Sequence, residues 1–110
     1  MVNMSSPFGG QTRTRVLLAL ALLTQSYPRE LARLLEVPVA GVQAALRGLE
    51  RDGLVAGRLL GRTRLYDLNP RYFAREELRH YLLRLSQGAP DLTAAVTALR
   101  RRPRREGKPL

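Results

Sequence analysis

Residues 53–69 read GLVAGRLLGRTRLYDLN. Two apolar runs, 54–60 and 63–68, flank the pair Gly61-Arg62, which predicts two strands joined by a hairpin turn. Arg58, Arg62 and Arg64 fall around the tip of that hairpin. Cations gathered there point to a negatively charged partner. Asn69-Pro70 ends the second strand and predicts the start of another helix, with Asn69 as its N-cap and Pro70 in its first turn.

Upstream of the hairpin, a helix is expected from Pro38 or Val39 to Asp52. Val42, Ala45, Leu46 and Leu49 form its buried stripe, and Gly53 ends it. Gly41 and Gly48 lie inside, and each costs roughly 1 kcal/mol relative to alanine. Close approach to a neighbouring helix or to a ligand would offset that cost; tolerated sequence drift is the alternative. Before it, SYPRELARLLE (26–36) reads as a short helix with Pro28 at its first position and Leu31, Leu34 and Leu35 at helical spacing. Val37-Pro38 breaks that pattern, because a residue before proline avoids the helical region. A first helix is expected from Gln11 or Thr12 to about Gln25. Its centre, VLLALALL (16–23), is apolar on nearly every side, so it is buried on more than one face. A domain of this size has trouble covering such a helix alone, and a partner subunit would cover the second face.

Downstream, Leu78, Tyr81, Leu82 and Leu85 mark the apolar face of the helix begun at Pro70. QGAPD (87–91) breaks it, and a last short helix carries Leu92, Ala95, Val96 and Leu99 on one face. The expected division is a flexible lead-in at 1–10, a core domain at 11–69, C-terminal helices at 70–99 and a basic tail at 100–110 that is disordered when free.

Length and composition narrow the function classes. The 110 residues suit one domain, and 45% hydrophobic with 25% charged residues is a normal globular mix. The chain has no cysteine and one histidine, His80, which excludes disulfides, cysteine-ligated metals and a histidine-rich metal site; no cofactor is expected. The longest apolar run, residues 16–23, is far too short to span a bilayer. No small-residue cleavage site follows it, so the expectation is a cytoplasmic protein without membrane contact. Net charge is +10, and the segment 100–110, with six basic residues and one acid, supplies half of it. This excess favours a polyanionic partner, nucleic acid ahead of a membrane surface. Enzyme readings find no footing. His80 reads as a surface or boundary helix residue, the adjacent Glu76 and Glu77 point in different directions, and the glycines match no phosphate-binding loop.

Helix, short helix, tight turn, helix, two-stranded hairpin, helix: this order is mainly α with a small β-hairpin, a winged helix-turn-helix with additional C-terminal helices. In that arrangement the second helix of the helix-turn-helix lies in the major groove of double-stranded DNA, and the hairpin, or wing, reaches adjacent phosphates or the minor groove. The stretches TRTRVLLAL (12–20), PRELARLLEVPVAGVQAALRGLERDGLV (28–55) and GRTRLYDLN (61–69) resemble the ArsR-type winged-helix transcriptional regulators. The matching features are the Thr-Arg start of the first helix, the Glu-Leu-Ala core of the supporting helix, the valine-leucine-leucine stripe, the Gly-Leu-Val exit into the wing and the Gly-Arg…Tyr-x-Leu return strand. MarR-type winged helices share much of this pattern.

The resemblance implies a sequence-specific regulator, most simply a repressor that occludes a promoter, binding two half-sites as a homodimer. The over-apolar first helix agrees with a dimer, and residues 70–86 and 91–99 are further interface candidates; packing within one subunit is the alternative. Base-reading positions fall on Val39, Ala40, Gly41, Gln43, Ala44 and Arg47. Gln43 suits adenine, Arg47 suits guanine or phosphate, and Val39 and Ala40 only thymine methyls. Arg58, Arg62, Thr63 and Arg64 would form the wing contacts, with Arg13, Arg15 and Arg29 as further phosphate candidates. The sequence departs from the family in two ways. It lacks the cysteine and histidine clusters of the metal sensors, so metal sensing is not carried over, and Pro38 stands where serine or threonine is common. The donor-poor helix leaves two alternatives open: a winged-helix protein-interaction module, or an architectural DNA binder of low specificity. The tail, RRRPRREGKPL, reads either as an arm along DNA or as a solubilising segment.

Overall fold

The computed structural model describes residues 8–101. Their order is α1 (Gln11–Leu23), β1 (Gln25–Ser26), α2 (Pro28–Leu35), α3 (Val39–Arg51), β2 (Val55–Leu60), β3 (Thr63–Leu68), α4 (Arg75–Ser86) and α5 (Pro90–Arg101). α2, α3 and the hairpin stand where the sequence predicts them; α1 stops at Leu23, short of the expected Gln25, which belongs to the additional strand β1. Residues 1–7 of the expected lead-in and 102–110 of the expected tail lie outside the described residues.

The buried stripe of α3 is Val42, Ala45, Leu46 and Leu49, as its spacing requires. Its end is a Schellman motif. The Leu54 N–H donates to the Leu49 carbonyl at 2.9 Å and the Gly53 N–H to the Glu50 carbonyl at 3.0 Å, with Gly53 at φ +81°. The chain therefore turns directly from α3 into β2. β2 and β3 pair antiparallel from Val55 opposite Leu68 to Leu60 opposite Thr63. Gly61 closes the hairpin at φ +65° while Arg62 keeps a negative φ, the sign pattern of a II′ turn.

β1 extends the hairpin to a three-stranded sheet in the order β1-β3-β2, with Gln25 opposite Asp67 and Ser26 opposite Tyr66. Two residues show no alternation of their own, so this strand exists only through its partner.

Three expectations are corrected. The first concerns α1. Val16 to Ala21 are at most 3% exposed within a single chain, because α2, α3, α4, α5 and β3 pack around them. Leu78 and Leu82 of α4 and Leu92 and Val96 of α5 enter the same core. No partner subunit is needed to cover α1, and the apolar faces of 70–86 and 91–99 are used within the subunit. The second concerns α4, which begins at Arg75 rather than at Pro70. Asn69 does not cap it. Its Nδ2 donates to the Gly53 carbonyl at 3.0 Å and its Oδ1 accepts the Arg71 N–H at 3.0 Å, so Asn69 ties the end of β3 to the end of α3 and starts a turn. The third concerns Tyr81, which is 45% exposed instead of buried. Its ring meets Phe8 with centroids 6.0 Å apart, and Phe8 itself packs on the core.

α5 runs two residues past Leu99 to Arg101, and the Arg100 guanidinium donates to the Leu22 carbonyl at the end of α1. Among the described residues, no helix is long and apolar enough to cross a membrane.

Candidate nucleic-acid interface

Burial of the Val42-Ala45-Leu46-Leu49 stripe turns the opposite side of α3 outward. Ala40, Gln43, Ala44 and Arg47 are exposed on one face, while Val39 is half-buried at its start. Arg51 continues this face one turn further and is also exposed. Sequence reasoning passed over Arg51, although its spacing of four from Arg47 was the signal.

The two glycines of α3 have different surroundings. A Cβ on Gly48 would meet Arg13 Nη1 at 2.6 Å. The missing side chain lets Arg13 cross from α1 over α3 and donate from Nη2 to Asp52 Oδ2 at 2.5 Å. Arg13, expected as a phosphate contact, thus serves to hold α1 against the end of α3. Gly41 is exposed and has nothing within 4 Å of its Cβ position, so no packing inside the subunit offsets its cost.

The wing arginines are not equivalent. Strand alternation sets Arg58, Leu60, Thr63 and Leu65 on one face of the hairpin and Gly57, Leu59, Arg64 and Tyr66 on the other. Arg58 Nη2 donates to Gln25 Oε1 at 3.0 Å, bracing β2 against β1. Arg64 Nη2 donates to Glu50 Oε2 at 3.3 Å, and its guanidinium lies over the Tyr66 ring, 5.7 Å from the centroid. Tyr66 first, and Glu50 after it, hold the Arg64 guanidinium above its ordinary value. Gly57 makes this arrangement possible, since a Cβ there would stand 2.8 Å from both Arg64 Nε and Tyr66 Cε2. Arg62, at the turn, is exposed and has no partner among the described residues, and Thr63 is exposed beside it. Of the three arginines expected at the tip, Arg62 is the unengaged one; Arg58 and Arg64 fasten the wing to β1 and α3.

The exposed face of α3 and the wing tip therefore carry Arg47, Arg51 and Arg62, and the bordering acids Glu50 and Asp52 are each taken by an arginine. The tip also holds two leucines that sequence reasoning treated only as strand residues: Leu59 is 67% and Leu60 63% exposed. Among the described residues no three histidine, cysteine, aspartate or glutamate side chains gather as a metal site, and His80 is exposed on α4.

No protein-family model matches the chain, and no curated protein matches it. Solved structures do. The reduced form of HlyU from Vibrio cholerae superposes with a TM-score of 0.60 at 26% identity, over 73% of this chain and 78% of that one. A variant of ZitR from Lactococcus lactis gives 0.62 at 18% identity, over 96% and 70%. The adhesin competence repressor AdcR from Streptococcus pyogenes gives 0.59 at 17% identity, over 88% and 69%. These neighbours are winged-helix regulators of the ArsR and MarR families, so the likeness is to the wider group and not to the ArsR type alone. Element order, sheet topology and these superpositions agree that the chain has the winged helix-turn-helix fold, mainly α with a three-stranded antiparallel sheet.

Proposed function

We propose that this chain is a DNA-binding transcriptional regulator of the cytoplasm, a binding protein and not an enzyme, which represses by occluding a promoter as a homodimer. One observation carries the reading: the outer face of α3, where Arg47 and Arg51 are exposed and the neighbouring acid Glu50 is paired, stands beside a wing that is fastened to the same helix through Arg64 and Glu50. The likeness to HlyU, ZitR and AdcR, the last named a repressor, supports it.

In this account α3 lies in the major groove. Gln43 and Arg47 read base edges, Val39, Ala40 and Ala44 pack on thymine methyls, and Arg51 takes a phosphate. Arg62 and Thr63 hold the adjacent backbone, while Arg58 and Arg64 keep the wing in position. Two subunits would engage half-sites about 34 Å apart, one helical turn. The two classes of contact are separable. Arg47→Ala should relax discrimination at one base pair, by about 1–3 kcal/mol. Arg62→Ala should weaken all duplexes alike and reduce the salt slope by about one. Unchanged binding by both variants would remove α3 and the wing from the mechanism.

The small, donor-poor surface of Ala40, Gly41 and Ala44 favours one other reading, a protein-interaction module. Retention on heparin at moderate salt supports the DNA reading; co-purification of a defined protein partner without such retention supports the other.

A further inference from the structure

The wing tip is a thin blade with a leucine on each side. Leu59 pairs with Arg64 on the face turned toward α3, and Leu60 pairs with Thr63 on the opposite face. Both side chains are about two-thirds exposed, and neither belongs to the core cluster. Arg62 stands at the point between them without a partner among the described residues. A flat protein partner would cover one of these leucines and leave the other in water. A cleft with two walls covers both, and a cleft that also welcomes a cation at its floor is negatively charged.

We infer that the wing of this chain enters the minor groove beside the α3 site as an apolar wedge, with Leu59 and Leu60 against the sugars of opposite strands, and that it opens the groove and bends the DNA. This rests on the regulator reading given above. Dimensions select the groove. A helix with its side chains is about 10–12 Å across and fills a major groove of about 12 Å, so a wing fastened to that helix falls in the neighbouring minor groove. That groove is about 6 Å wide, whereas a sheet with side chains on both faces is about 10 Å thick. Leucines on both sides therefore cannot enter without widening the groove. Sequences with flexible pyrimidine–purine steps would yield most readily, which gives the wing a preference for DNA shape that needs no base contact.

The test uses the full chain and duplexes of about 30 base pairs from the region upstream of its own coding sequence, labelled at both ends for energy transfer. The wild type should shorten the end-to-end distance, and more so when a TA step replaces a rigid A-tract beside the α3 site. Leu59→Ser with Leu60→Ser should keep the melting temperature and the salt slope, bind at least about tenfold more weakly and leave the DNA straight. Leu59→Met with Leu60→Met should restore affinity and bend. Wild-type binding to straight DNA, or a serine double variant that binds and bends as the wild type does, overturns the wedge while leaving the regulator reading intact. Failure of the wild type to bind any duplex at low salt overturns both.

Discussion

Arg64 Nη2 lies 3.3 Å from Glu50 Oε2, so the return strand of the wing is pinned to the last turn of α3. The pair sets where the wing stands relative to the helix, and it also spends a cation that would otherwise face the ligand. Glu50→Gln removes a carboxylate from the edge of the proposed interface and releases Arg64. The expected outcome is little change in melting temperature, because the pair is exposed. Affinity for duplex DNA should change little at moderate salt, because the released cation offsets the lost positioning of the wing, while the salt slope should steepen by about one per subunit. An unchanged slope would mean that Arg64 stays out of reach of phosphate even when released.

Gly41 and Gly48 share a helix but not a reason. Gly41→Ala fills open space, so it should stabilise the protein by about 0.5–1 kcal/mol through helix propensity alone. Gly48→Ala gains the same propensity but displaces the Arg13 guanidinium from Asp52, and the two effects should nearly cancel, to within about 0.5 kcal/mol. Denaturant melts of both variants check the contrast. Gly41 also lies at the flank of the proposed interface, and the added methyl should weaken DNA binding while the fold grows more stable.

Gly57 faces the Tyr66 ring across the hairpin. An alanine Cβ would stand 2.8 Å from Tyr66 Cε2 and 3.2 Å from Cδ2, and Tyr66 is only 7% exposed, so the ring has little room to retreat. Gly57→Ala should destabilise the protein by about 1–3 kcal/mol. Stability equal to the wild type would mean that the ring swings out to solvent, which a rise in its fluorescence quenching by iodide would reveal.

Thr24 leaves α1 at φ +81°, ψ −51°, a conformation that a β-branched residue adopts only under strain. The strain is of order 1–3 kcal/mol, and glycine gives back about 0.5–1 kcal/mol in chain entropy. Thr24→Gly should therefore stabilise by about 1 kcal/mol. Thr24→Ala, which keeps the Cβ, should not. The strained residue delivers the chain into Gln25, the acceptor for Arg58, so the wing should stay in place in the glycine variant and its DNA affinity should be unchanged.

The elements legible in the sequence were those whose signal is local. The Val42-Ala45-Leu46-Leu49 stripe repeats at the helical period and announces α3. Gly53 and Gly61 sit at positions of positive φ, and they mark the exit from α3 and the hairpin turn. What escaped depended on partners distant in the chain. β1 is two residues long and is a strand only because β3 lies beside it. Asn69-Pro70 carries a helix-start signature, but the Asn69 side chain is drawn to the Gly53 carbonyl, sixteen residues earlier. The all-apolar centre of α1 looked too large for one subunit to cover until α4 and α5 folded back over it. Among the candidate contacts, the outward face of α3 followed from its buried stripe. The diversion of Arg64 to Glu50 and of Arg58 to Gln25 did not, because both are tertiary contacts.

Fluorescence anisotropy of two labelled duplexes tests the central claim most directly: one from the region upstream of the coding sequence, one a scramble of equal length, each titrated with the full chain at about 50 and 200 mM salt. Roughly 6–10 phosphate contacts per dimer would lower affinity about 10³–10⁵-fold between those concentrations. The account predicts that steep loss together with tighter binding of the upstream duplex at both salts. Equal affinity for the two duplexes would contradict sequence-specific regulation, and absence of binding at the lower salt would contradict DNA as the partner.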